Sequence, residues 1–126
     1  MSDGNEEIRF EALKGIGTRP LEGLALKAIL DTLGDETWEV RNAAVDILSR
    51  ATDADSLRAV GQTLQTNEDR DIRIDALRVL AFRAQPESAP YLRETLKTDD
   101  AVIRDIAGQI LAEFDRREAA RKANGR

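Results

Sequence analysis

Four dipeptides of one kind recur along the chain: Ile8-Arg9, Val40-Arg41, Ile72-Arg73 and Ile103-Arg104, with the arginines 32, 32 and 31 residues apart. A self-similar period of this size marks a repeat array, in which each unit hides its apolar face only against its neighbours. Three residues after each arginine stands Ala12, Ala44, Ala76 or Ala107, and seven after stands Ile16, Leu48, Leu80 or Leu111. Six after, three copies carry Ile47, Val79 or Ile110, and the first carries Gly15. At about 100° per residue these positions and the one before the arginine fall on a single stripe, so each copy reads as an amphipathic helix.

A second helix family precedes three of these. It ends in Asp31-Thr32-Leu33, Gln62-Thr63-Leu64 and Glu94-Thr95-Leu96, with Ile29, Val60 and Leu92 four residues before the leucines and Leu26, Leu57 and Ala89 seven before. The intervening stretches are rich in Gly, Pro, Asp, Asn and Thr. Asp35, Asp53, Asp69 and Asp99 are placed to cap or charge helix starts, and Pro86-Glu87 suits a first helical turn. The spacing predicts helices near 6–16, 20–33, 37–51, 54–66, 70–84, 87–97 and 100–114. Together they make an all-α solenoid of antiparallel hairpins, about three full repeats plus one N-terminal helix. Residues 1–114 form the repeat domain and 115–126 a basic helix extension or tail, in which Glu118 and Lys122 are spaced to pair.

Composition narrows the chemistry. Cysteine and histidine are both absent, which removes disulfides, thiol nucleophiles, thiolate zinc sites and histidine-based acid–base or metal constellations. The sequence has neither a D-x-D-x-D-G calcium loop nor a Gly-rich phosphate cradle. Carboxylate pairs such as Glu6-Glu7 and Asp99-Asp100 fall at helix starts, where they compensate the dipole. No catalytic residue, metal ligand or cofactor is expected, and an enzyme is not. Of the net charge of −5, residues 115–126 contribute +3, which leaves −8 on residues 1–114. An acidic body repels a phosphate backbone, so nucleic acid is disfavoured as a partner. No run of about 18 apolar residues is present to span a membrane, and the polar start lacks the pattern of a signal peptide, so a cytoplasmic protein is expected.

The repeat resembles HEAT repeats, in particular the short bacterial type found in bilin-lyase-like proteins. The resemblance runs over about residues 8–114 and rests on an Asp six residues before the arginine and an apolar residue just before it. Asp3–Arg9 and Asp35–Arg41 fit, whereas Asn67 and Thr98 depart, with Asp69 and Asp99 close by. Pro90 holds the proline position of the first helix, where Lys27 and Ala59 stand in other copies. The tetratricopeptide pattern of Trp, Gly and Tyr at a 34-residue period is missing. The resemblance implies a structural ladder in which Arg9, Arg41, Arg73 and Arg104 bridge to turn aspartates such as Asp35, Asp69 and Asp99, tying successive turns together. A guanidinium's fixed fork of five donors suits that task.

It also implies that the arginine-bearing helices line the concave, partner-binding side. Residues one and five after the arginine then face outward: Phe10, Asn42, Ile74 and Asp105, with Lys14, Asp46, Arg78 and Gln109. Ile74 and Phe82 are apolar where neighbouring copies are polar, which fits interface anchors or packing on an adjacent helix. Trp38, the only tryptophan, reads either as an anchor at the solenoid edge or as a semi-buried wedge between repeats. Tyr91 and Phe114 fall where helical spacing wants apolar bulk and are expected in the core. The expected function is a non-catalytic protein-binding scaffold or adaptor whose partner is another protein or further repeats of a longer chain. A bilin-lyase-like subunit or chaperone, holding a tetrapyrrole or phycobiliprotein, is the alternative.

Overall fold

Asp53, Asp69 and Asp100 start three of the helices, each accepting hydrogen bonds from backbone N–H groups of the first turn that the helix itself leaves unmatched. The structure, a computed structural model, describes residues 23–125. Its helices are α1 (Gly23–Leu30), α2 (Trp38–Arg50), α3 (Ala54–Thr66), α4 (Arg70–Arg83), α5 (Ala89–Thr95) and α6 (Ala101–Asn124), with a 3₁₀ turn over Pro86–Ser88 leading into α5. No strand occurs among the described residues. The expected helix near 6–16, with Arg9, lies outside them. Asp100 rather than Asp99 caps α6, and Thr37 precedes α2 without a side-chain cap; instead Asp35 Oδ1 accepts from the Thr37 N–H at 2.8 Å.

The helices pair as hairpins α1–α2, α3–α4 and α5–α6, and equivalent helices then stack: α3 on α5, α2 on α4 and α4 on α6. This is an all-α solenoid in two layers. The arginine-bearing helices α2, α4 and α6 make one layer. Their apolar stripe faces the other: Val40, Ala44 and Leu48, then Ala76, Val79 and Leu80, then Ile103 and Ala107 are all buried. The first helices answer with Leu26, Ile29 and Leu33, then Leu57, Val60 and Leu64, then Leu92. At about 1.5–3 kcal/mol per fully buried aliphatic side chain, this seam is the main force holding the stack. Leu96 departs from its column and is 39% exposed at the end of α5. Tyr91 and Phe114 pack against the core but stay half-buried.

Two glycines permit close approach. Gly34 has φ of 77° in the turn before α2, and a Cβ there would meet Ile72 Cγ1 at 2.4 Å. At Gly61 in α3 a Cβ would sit 2.4–2.6 Å from the Tyr91 ring, so α5 lies directly on the α3 backbone.

A buried guanidinium closes the α2–α3 turn. Arg83 Nη1 donates to Ser56 Oγ at 2.8 Å, Nη2 to the Asp53 carbonyl at 3.1 Å and Nε to Gln85 Oε1 at 2.8 Å. Its Nη1 also reaches the Leu48 carbonyl at 3.5 Å, one of the acceptors left open at the end of α2. Ser56 donates its backbone N–H and hydroxyl to the Asp53 carboxylate, both at 2.8 Å. Burial pushes the Asp53 carboxyl up, but the Ser56 bonds and the Arg83 charge outweigh it and hold the group below its ordinary 3.8.

Gly61→Ala is expected to lose about 1–3 kcal/mol through overpacking against Tyr91, read as a lower urea midpoint. For Asp53 the folded-state pKa is depressed, so its contribution is present above the unfolded value and lost as pH falls through the folded one. Ser56→Ala is therefore expected to flatten the loss of stability between about pH 5 and pH 3 in urea melts.

Candidate partner-binding surface

The layer of α2, α4 and α6 turns one side to solvent, and the largest feature on it is Trp38. The residue is 57% exposed at the first turn of α2, so it is not a semi-buried wedge between repeats. Two guanidiniums hold it: the Arg41 carbon lies 5.3 Å and the Arg78 carbon 5.6 Å from the ring centroid. Arg41 comes from the same helix one turn on and Arg78 from α4, so the indole bridges two repeats. Such contacts are worth about 0.5–1 kcal/mol each at exposed sites, enough to bias a rotamer and keep an aromatic side chain presented.

Both arginines are themselves placed by Asp75, whose side chain is only 5% exposed. Asp75 Oδ1 accepts from Arg78 Nη1 at 3.1 Å, and Oδ2 accepts from the Gly34 N–H at 3.0 Å. Arg41 Nε lies 3.5 Å from Oδ2, an ion pair without hydrogen-bond geometry. Arg78 Nη2 also donates to Asn42 Oδ1 at 2.9 Å across the α2–α4 cleft. One carboxylate in α4 thus fixes the turn before α2, two guanidiniums and, through them, the indole.

Among the described residues, Arg41, Arg73 and Arg104 of the ladder bond backbone carbonyls. Arg41 Nη1 donates to the Asp35 carbonyl at 3.4 Å, Arg73 Nε to the Leu64 carbonyl at 2.8 Å and Arg104 Nη1 to the Thr98 carbonyl at 3.2 Å. Carbonyls near a helix end lack intrahelical partners, so a guanidinium there closes the preceding turn rather than joining repeats. Asp69 is occupied in capping α4, and Asp99 is exposed without a hydrogen bond among the described residues. Among the described residues the carboxylate bridges between repeats are Arg41–Asp75 and Arg70–Asp100, the latter at 2.7 Å. The hydrogen bond from Arg70 holds the Asp100 carboxyl below the usual carboxylate range.

The other expected surface residues divide. Phe82 is 65% exposed, one turn beyond Arg78 on the same side of α4. Asp46, Asp105 and Gln109 are exposed, with Asp46 paired to Arg50 at 3.3 Å. Ile74 is half-buried and packs against the core, so it is no free anchor. Sequence reasoning missed Asp75 and Arg83, yet both left a signal. Asp75 stands where the neighbouring copies have Ala43 and Ile106, and Arg83 where they have Ala51 and Phe114. A charge in an otherwise apolar column has to find a partner.

A concavity of about 440 Å³ lies between the start of α5 and the distal part of α6, floored by Ala84, Pro86, Ala89 and Phe114. The distal part of α6 carries its own ion pairs, Glu113 with Arg116 and Arg117, and Glu118 with Arg121 and Lys122.

The stacked hairpins, the arginine period and the two-layer seam agree with a family match: the model of HEAT repeats matches residues 1–81. The chain belongs to the HEAT-repeat family. HEAT repeats commonly mediate protein–protein interaction. No curated protein matches the chain. Within this HEAT array the Trp38 cluster differs from the copies around it, since Arg70 and Ala101 hold the equivalent positions in α4 and α6.

Asp75→Ala strands two guanidiniums and the Gly34 N–H. The expected cost is about 3 kcal/mol in urea unfolding, with a changed anisotropy of Trp38 fluorescence because its flanking cations are released.

Proposed function

We propose that the chain is a non-catalytic scaffold that meets a partner protein on the α2–α4 side around Trp38. The observation that carries this reading is an exposed indole held between two guanidiniums that are themselves fixed by a buried carboxylate. A large aromatic side chain already ordered before contact loses little entropy on binding, and tryptophan and arginine are the residues most often found at binding hot spots. Phe82, exposed on the same side, supplies a second apolar contact. A protein suits this surface better than a nucleic acid. Arg41, Arg50, Arg70 and Arg78 already face carboxylates, and phosphate binding needs cations free to release counterions.

The test is affinity capture from lysate of the producing cell with three baits: the native chain, Trp38→Ala, and Gln62→Ala on the exposed side of α3. Trp38→Ala is expected to keep the native circular dichroism and melting temperature while losing its partner by about 2 kcal/mol or more, roughly 30-fold in Kd. Gln62→Ala is expected to behave as the native chain. A partner held equally by all three baits places the contact elsewhere. A linear tetrapyrrole mixed with the native chain is expected to keep its free absorption spectrum, and a changed spectrum favours a bilin-binding role.

A further inference from the structure

Successive hairpins of the array are tied together unequally. Between the first hairpin and the second, side chains cross at three levels. Asp75 accepts from the Gly34 N–H at 3.0 Å and faces Arg41 at 3.5 Å. Arg78 Nη2 donates to Asn42 Oδ1 at 2.9 Å, and Arg83 Nη1 reaches the Leu48 carbonyl at 3.5 Å. One repeat on, the register puts an apolar residue in place of one partner in each tie: Ile106 for Asp75, Ile74 for Asn42 and Phe114 for Arg83. All three are half-buried against the core. Arg73, the counterpart of Arg41, turns back to the Leu64 carbonyl of its own hairpin. Among the described residues, a single polar side-chain contact joins the second hairpin to the third, Arg70 Nε to Asp100 Oδ2 at 2.7 Å.

The two kinds of contact resist motion differently. A hydrogen bond weakens steeply once its angle is lost, so the crossing bonds of the first junction select one arrangement. Apolar burial has no preferred direction, and one packed helix can slide a short way over another with its surface still covered. At the α4–α6 contact the equivalent places hold Ile74 and Ile106, so that contact is of the second kind. In the other layer the Tyr91 ring lies against the backbone of Gly61, close enough to serve as a pivot. The Arg70–Asp100 pair joins the start of α4 to the start of α6, in the layer opposite that pivot. The Arg70 side chain is 58% exposed, where salt screens the pair and water competes for it.

We infer that the array carries a built-in joint: the α5–α6 hairpin shifts as a unit against a rigid platform of α1–α4, and Arg70–Asp100 is the ionic latch that holds it. Releasing the latch lets α6 slide along α4 by about 1–2 Å, the usual scale for packed helices, without opening the apolar seam. The curvature of the α2–α4–α6 side is then fixed over its first two helices and adjustable at the third. The joint stands whether or not that side receives a partner.

The chain has no cysteine, so spin labels can be placed in pairs without removing a native thiol. Asp46→Cys/Gln62→Cys spans the first junction and Gln62→Cys/Gln109→Cys the second, all at exposed positions. Each pair is measured by double electron–electron resonance in the intact chain, with and without Arg70→Gln, after a check for a native melting curve. Arg70→Gln leaves Asp100 free to cap α6. The Gln62–Gln109 distances are expected to spread about twice as widely as the Asp46–Gln62 distances. They are expected to shift or broaden by a further ~1–2 Å with Arg70→Gln, or in the native latch on raising salt from about 50 to 500 mM. The Asp46–Gln62 distances are expected to respond to neither. Equally narrow distributions for both pairs overturn the joint. A Gln62–Gln109 distribution indifferent to both Arg70→Gln and salt overturns the latch. Broadening of both pairs together reports general loosening and overturns the proposal as well.

Discussion

One buried carboxylate organises the exposed side of this molecule. Asp75 meets the guanidiniums of Arg41 and Arg78 and the N–H of Gly34, so three segments from two repeats converge on two oxygens. Removed from water, two cations near each other would repel strongly; the shared anion converts that repulsion into a fixed arrangement. The indole of Trp38 then rests against arginines that have no freedom to wander. Buried pairs of this kind add little net stability over an apolar packing, and their value lies in selecting one geometry. Here the selected geometry is the presentation of an aromatic ring to solvent.

Repeat architecture was readable because it is arithmetic. The arginine spacing, the alanine three residues on and the leucine seven on depend only on helical periodicity and on a stripe wide enough to face a second layer. Burial of Val40, Ala44 and Leu48, and of their counterparts in α4 and α6, follows directly. The bonding of the arginines was not readable in the same way. A guanidinium at the start of a helix has carboxylates and unmatched carbonyls within equal reach, and local turn geometry decides between them. Carbonyls take Arg73 and Arg104, whereas Arg41 splits between a carbonyl and Asp75.

Trp38 shows a second limit. Its position is three residues before the arginine, at the border of the apolar stripe, where periodicity alone leaves a ring free to turn inward or outward. What turned it outward is the pair of cations, one of which, Arg78, comes from the next repeat 40 positions away. The same reasoning covers Ile74, which looked exposed by its column yet leans onto the core. Contacts between repeats decide such border positions, and a period computed within one repeat does not contain them. Leu96 is the converse: its column is apolar, but it falls at the end of the short α5 and stays partly in solvent.

The length of α6 has a geometric consequence. In the earlier hairpins the helix ends nine residues after Arg41 and ten after Arg73, but here it runs twenty residues past Arg104, to Asn124. No Gly or Pro falls in its last ten residues, and its ion pairs at helical spacing favour continuation. The extra ten residues carry the backbone about 15 Å beyond the level where the other hairpins reverse. The last hairpin is thus asymmetric: its second arm overshoots the first and walls one side of the concavity at the start of α5, giving that recess a depth the earlier hairpins do not share.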